Sequence, residues 1–228
     1  MDKRNSYSQE RIVREYEQKR FHGRSGELVN QTELNNICSL LIKNVRESGI
    51  ILDSPCGTGR VVNFLKQRGM RLIGLDYSMP MLKTTIKKVN IPLVRADLFH
   101  MPFKDSSLNC IISLRFMFHY VNIEPILHEM RRILKDNGML IFDTFKWSPK
   151  ANFLFGHKRV FIHKMKKLRA FLKMNGMEIV DERYCFFFSP MIYRILPLRL
   201  AGALSALEKI IPSRFLVRAF WCVKKLGG

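Results

Sequence analysis

Short apolar runs return along this chain, mostly about 20 residues apart: Gly49–Asp53, Met70–Asp76, Ile91–Asp97, Leu108–Leu114 and Gly138–Thr144. Each is rich in Ile, Leu and Val and flanked by turn residues, which is how strands covered on both faces by crossover helices read. Between them, Arg60–Arg68, Met79–Val89 and Glu124–Lys135 carry helical spacing, with Ile126, Met130, Ile133 and Leu134 on one face. Alternating strand and helix predicts an α/β fold with a doubly wound, mostly parallel sheet. At 228 residues and 47% hydrophobic, the chain has the length and apolar content for one large core.

The rhythm changes after Thr144. His163–Met174 reads as a basic helix stopped by Asn175-Gly176, Met177–Phe188 as a long strand, and Arg218–Lys224 as a last strand. Between the last two lies the proline-bounded stretch Pro190–Pro212. There Leu200, Leu204, Leu207 and Ile211 are expected on one helical face and Arg199, Ser205, Glu208 and Lys209 on another.

In an open parallel sheet ligands bind beyond the carboxyl ends of the strands, so what stands there is informative. The first run leads into Asp53-Ser54-Pro55-Cys56-Gly57-Thr58-Gly59-Arg60, a turn of small residues opening a helix, where glycines permit close backbone approach and helix-start amides can receive a carboxylate. The second run ends on Asp76, 23 positions after Asp53 and near the spacing at which a carboxylate takes ribose hydroxyls; the third ends on Asp97. Three aspartates at the mouth of one sheet repel each other and fill no core role. The bland alternative is three helix-capping aspartates. A nicotinamide site is disfavoured, because the position completing G-x-G-x-x-G is Val62.

These residues resemble the class I S-adenosylmethionine-dependent methyltransferase family, in its small-molecule group (methyltransferase type 11, UbiE-like). The resemblance rests on Asp53–Gly59, on Gly74-Leu75-Asp76-Tyr77-Ser78-Met79-Pro80-Met81-Leu82 and on Asp97-Leu98-Phe99-His100-Met101-Pro102-Phe103, and it continues through Met130–Leu140 and residues 163–180. It implies a seven-stranded Rossmann-like sheet with the last strand antiparallel. It also implies an N-terminal helical lid segment over 1–45, a methyltransferase domain over 46–228 and a basic amphipathic insertion at about 189–213. The implied cofactor is S-adenosylmethionine, leaving as S-adenosylhomocysteine. By position, Asp53 and the turn Pro55, Cys56, Gly57, Thr58, Gly59 and Arg60 would serve its methionine end, Asp76 its ribose, Tyr77 and Met81 the adenine faces, and Asp97 with Leu98 the adenine edge. Pro55 departs from the pattern, standing where the family usually has its first glycine; proline lacks an N–H, so that position offers no amide to a ligand.

After the fourth strand, Leu114-Arg115-Phe116-Met117-Phe118-His119-Tyr120 occupies the region that faces the transferred methyl in the family. His119 is the candidate general base, since an imidazole titrating at about 6.5 can take a hydroxyl proton at neutral pH; packing at the strand end is its structural alternative. Arg115 is a candidate for the cofactor or an acceptor anion. No Asn/Asp-Pro-Pro-aromatic motif is present, which disfavours amine methylation of nucleobases or glutamine. Arg20 and Phe21 are lid candidates. No metal is expected, because His100, His128, His157 and His163 lack ligand spacing.

Basic residues outnumber acidic ones 39 to 19, a net charge of +20. Residues 146–228 hold 17 basic and 4 acidic residues, a net of +13, against +7 for residues 1–145. That asymmetry points to a polyanionic neighbour of the acceptor side. One reading is a small-molecule acceptor that is lipid-, quinone- or glycan-linked, with O-methylation favoured and an anionic membrane surface as partner. The second is an RNA methyltransferase, and the third a non-catalytic cofactor-binding interaction module. Five widely spaced cysteines without a C-x-x-C pair, and a polar start without a signal-like run, suggest a reduced, cytoplasmic setting, with peripheral attachment at the inner membrane face left open. No stretch reads as membrane-spanning: Tyr184–Pro212 is broken by Arg194, Arg199, Glu208 and Lys209.

Overall fold

The computed structural model describes residues 13, 15, 23–45, 49–146, 161–188 and 190–227. Arg20, Phe21 and His157 lie outside them. Helix α1 (Arg24–Asn44) is followed by β1 (Ile50–Asp53), α2 (Arg60–Lys66), β2 (Arg71–Asp76), α3 (Met79–Ile86), β3 (Leu93–Arg95) and β4 (Leu108–Ser113). Next come α4 (Glu124–Ile133), β5 (Leu134–Lys146), the two-residue β6 (Ile162–His163), α5 (Met165–Met174) and β7 (Met177–Cys185). Helices α6 (Pro190–Ile195) and α7 (Leu198–Leu207) lead to β8 (Arg218–Lys225).

The sheet runs β3-β2-β1-β4-β5-β8-β7, with β6 pairing to β5 off this path. Strands β1 to β5 are parallel to one another, while β8 is antiparallel to both β5 and β7. The winding reverses between β1 and β4, so the carboxyl ends of these strands flank the natural ligand crevice. One face of the sheet is covered by α1 and α2 through Ile37, Leu40, Val62 and Leu65, the other by α4 and α5 through Ile126, Met130, Ile133 and Leu172. The apolar stripe expected on α4 is fully buried.

Two elements differ from the sequence expectation for identifiable reasons. Strand β5 begins at Leu134, where a helix end was expected, because Leu108 pairs with Leu134 before the register jumps to Cys110 opposite Met139. The intervening bulge puts Asn137 at φ 62 and brings Gly138 so close that a Cβ there would lie 2.7 Å from the Lys135 carbonyl oxygen.

At the end of α7, Glu208, expected on the polar face, is buried instead. Ala201 also faces inward and Leu204 packs on the core, whereas Leu200 and Leu207 are 58% and 52% exposed. The Glu208 carboxylate receives the Phe186 and Phe187 amides at 3.0 and 2.6 Å and the Tyr193 hydroxyl. Amides buried beyond the end of β7 require an acceptor, and no other carboxylate lies between residues 183 and 228. Among the described residues, no helix is long and apolar enough to cross a membrane.

Candidate active site

At the carboxyl ends of β1, β2 and β4 opens a cleft of about 920 Å³, counting its open mouth. The cleft is lined by the turn Pro55–Thr58 with Arg60, by Asp76, Tyr77, Met81 and Leu98 from the ends of the neighbouring strands and α3, and at its far end by Arg115 and His119 after β4. Twelve of the fourteen residues singled out in the sequence as catalytic or cofactor-binding therefore border one space or lie within the turn that builds it; Asp53 and Asp97 do not line it. Leu114, Phe116 and Tyr120 complete the far end.

The turn is held by the second strand. Cys56 N–H donates to the Leu75 carbonyl at 2.8 Å, and Gly57 N–H donates to Asp76 Oδ2 at 2.8 Å. Asp76 Oδ1 accepts Ser78 N–H at 2.8 Å, and Ser78 in turn caps α3 by accepting Met81 N–H. The Ser54–Pro55 bond is cis. Gly57 and Gly59 have φ of 57 and 82. At Gly59 a Cβ would also meet Thr85 of α3 at 2.8 Å, while Thr85 Oγ1 donates to the Gly57 carbonyl. The second glycine therefore serves helix packing, and the first borders the cleft.

Three carboxylates behave differently here. Burial lifts the Asp76 carboxyl to about 6, despite the amides of Ser78, Gly57 and Tyr77 that favour its charged form. Asp53 is fully buried and neither of its oxygens has a hydrogen-bond partner; burial raises it well above the carboxylate range, with the Arg60 charge opposing and Asp76 adding. Asp97 is half-buried and its Oδ1 accepts the Phe99 amide at 3.1 Å, capping its own turn.

Beneath the far end lies a charge cluster that the sequence did not suggest. Glu33 of α1 is fully buried and contacts Arg60 at 2.8 Å, Arg115 at 2.8 Å and Arg218 at 2.6 Å. Arg218 is itself fully buried and pairs with Asp143, whose other oxygen accepts the Arg115 amide. Burial alone would lift Glu33, but the three guanidiniums pull it down to about 2. Asp143 is shifted upward by burial, partly offset by Arg218. Three cations against two anions leave a positive face where Arg60 and Arg115 meet the cleft. The available signal was an acid on an apolar stripe, Val29-Glu33-Ile37-Leu40.

His119 sits on a single 3-10 turn, Met117–His119, with its ring edge-on to Phe118 at 4.6 Å. Phe116 and Tyr120 pack together at 4.9 Å beside it. The neighbourhood of His119 is thus aromatic and partly shielded from water. Among the described residues no group of three His, Cys, Asp or Glu has the arrangement of a metal site.

This arrangement, a carboxylate-lined turn at the switch point of a 3-2-1-4-5 sheet closed by an antiparallel hairpin, defines a nucleotide-type cofactor site on a Rossmann-like fold. The methyltransferase domain family matches residues 52–142. The demethylmenaquinone methyltransferase of Lactobacillus johnsonii is 30% identical over 174 residues, covering 67% of this chain and 69% of that protein. The uncharacterized protein MJ1252 of Methanocaldococcus jannaschii is 33% identical over 136 residues, covering 58% of this chain; the match spans about half of that relative, 52%. Among solved structures, the geranyl diphosphate C-methyltransferase of Streptomyces coelicolor superposes with a TM-score of 0.66 at 14% identity, over 86% of this chain and 80% of that one, a likeness of fold. The chain belongs to the class I S-adenosylmethionine-dependent methyltransferases.

The residues present fit that cofactor. A fully buried carboxylate with no hydrogen-bond partner, as at Asp53, calls for a cationic or protic ligand group, and S-adenosylmethionine carries an amino group, a sulfonium and two ribose hydroxyls. Its carboxylate has a counterpart in the Arg60 and Arg115 face.

Proposed function

We propose that this methyltransferase acts on a small-molecule acceptor with an apolar body, of the lipid-, quinone- or glycan-linked kind, and that it methylates oxygen. The observation that carries this reading is the segment after β4, where His119 lines the cleft together with the apolar Leu114, Phe116 and Tyr120. A relative named for demethylmenaquinone supports an acceptor of quinone type.

In this reading Asp53 and the Cys56–Gly59 backbone hold the methionine end of the cofactor, with Arg60 and Arg115 toward its carboxylate. Asp76 takes the ribose hydroxyls, Tyr77 and Met81 cover the adenine, and Asp97 with Leu98 meets its edge. Within the N-terminal segment 1–45 the closing role falls to the part before α1, α1 itself being packed on the sheet, and the insertion at about 189–213 shapes the acceptor side. Bound S-adenosylmethionine supplies a methyl group on a positively charged sulfur, a good leaving group. What remains for the protein is alignment, exclusion of water and removal of one proton. His119 takes the acceptor hydroxyl proton while Phe116 and Tyr120 keep bulk water out.

The test is transfer of labelled methyl from S-adenosylmethionine into organic-extractable material from a cell extract, run beside bulk tRNA. Label in the organic phase is expected, reduced by His119→Ala. Label confined to tRNA would sink the small-molecule reading.

A further inference from the structure

The connection between β7 and β8 leaves and rejoins the sheet at one edge. Cys185, the end of β7, and Phe145 of β5 both lie opposite Arg218, the start of β8. Phe145 is near the carboxyl end of β5, so α6, α7 and the turn after them rise from the same edge of the sheet as the cleft.

This connection displays apolar side chains to solvent. Ile195 is 77% exposed, Leu200 58%, Leu207 52%, Ile210 79% and Phe215 44%. Exposed apolar groups of this density mark an interaction surface, where scattered single residues would not. The charges around them have one sign. Residues 190–217 hold four basic residues and one acid, Glu208. That acid is buried and bonded to the Phe186 and Phe187 amides, whereas Arg199, Lys209 and Arg214 are exposed. Among the described residues of this stretch no carboxylate faces solvent.

We propose that the outer surface of α7 and the turn that follows, Leu198–Phe215, docks onto an anionic lipid bilayer and holds the carboxyl edge of the sheet against it. Leucine and isoleucine side chains flanked by arginine and lysine match the boundary between acyl chains and anionic headgroups. A second copy of a chain with net charge +20 would bring like charges together at this surface. The proposal deepens the apolar-acceptor reading, because an acceptor dissolved in the bilayer would then meet the cleft without crossing water.

The experiment is flotation of the full chain with vesicles of equal parts phosphatidylglycerol and phosphatidylcholine, against pure phosphatidylcholine, at low and high salt. Binding to the anionic vesicles alone, weakened by salt, is expected. A variant combining Leu200→Ser, Leu207→Ser and Ile210→Ser, and another combining Arg199→Glu, Lys209→Glu and Arg214→Glu, should each lower partition at least ~10-fold. Reversing Lys166, Lys167 and Lys173 to Glu should do less. These are exposed on α5, which packs on the other face of the sheet through Leu168 and Leu172. Three outcomes would overturn the proposal: no association at low salt, a loss in the α5 variant as large as in the other two, or a dimer that the serine variant dissolves. Calorimetric S-adenosylmethionine binding, measured in each variant, reports folding. Its absence in the wild type would count against the methyltransferase reading while leaving the vesicle result to stand on its own.

Discussion

Asp76 Oδ2 accepts the Gly57 amide at 2.8 Å, tying the turn after β1 to the end of β2 through a carboxylate that burial has lifted to about 6. On the proposed ribose role, the charged form is the one that receives the two hydroxyls. In the free protein Asp76 is protonated below about pH 6, so binding at lower pH must expel that proton. The Asp76 contribution to S-adenosylmethionine affinity should be flat above about pH 7 and fall by up to ~10-fold per pH unit below about 6. Calorimetry between pH 5 and about 8 measures this, and an affinity that rises on acidification would exclude the role.

The same shift acts on stability with the opposite trend. A carboxyl raised above its ordinary value of 3.8 contributes stability that is fully present below that value and is lost as pH rises through about 6. Asp76→Asn should therefore flatten the loss of free-protein stability between these limits while abolishing tight cofactor binding. Thermal denaturation across that interval compares the two proteins.

Glu33 sits against three arginines, one of them fully buried. Removing its charge with Glu33→Gln strands Arg218 beside Asp143 alone, at a cost of about 3–5 kcal/mol. Its lowered carboxyl makes that contribution present above the ordinary value of 4.5 and lost only as pH falls through about 2. Urea denaturation at neutral pH measures the loss, and a change below about 1 kcal/mol would show that the cluster is energetically idle.

Replacing His119 by Ala should lower kcat roughly 100-fold or more and leave S-adenosylmethionine affinity within about threefold, on the proposed general-base role. Equal losses in both quantities would assign His119 to packing against Phe118.

The two turn glycines should respond unequally. Gly57→Ala places a Cβ in open space at φ 57, costing about 1–2 kcal/mol for the left-handed backbone. Gly59→Ala adds contacts at 2.8 Å with the Thr85 side chain and 3.2 Å with its Cα, and should cost more because backbone cannot move aside as a side-chain tip can. Denaturation midpoints of the two variants check the order.

What could be read from the sequence was what depends on neighbours in the chain. Asp53 and Asp76 close apolar runs and stand beside a glycine turn, so periodicity and spacing sufficed to place them at one edge. Glu33 gave a faint sign, an acid on an apolar stripe, but its partners lie 27, 82 and 185 positions away and no local pattern names them. Glu208 was placed on the polar face of the stretch for a related reason: its partners, the amides of Phe186 and Phe187, lie more than 20 positions away, and no local pattern shows that they draw its carboxylate inward.

Glu33 and Arg218 come from opposite ends of the described chain. During synthesis Glu33 emerges early, and Arg60 and Arg115 reach it before its buried partner exists. Until β8 slots between β5 and β7, the cluster under the cleft lacks its central guanidinium and Asp143 lacks its paired arginine. On the proposed roles of Arg60 and Arg115, competence for the cofactor is tied to insertion of an interior strand delivered late, and a nascent chain that has already formed the β1–β4 half should fail to bind until that insertion is complete.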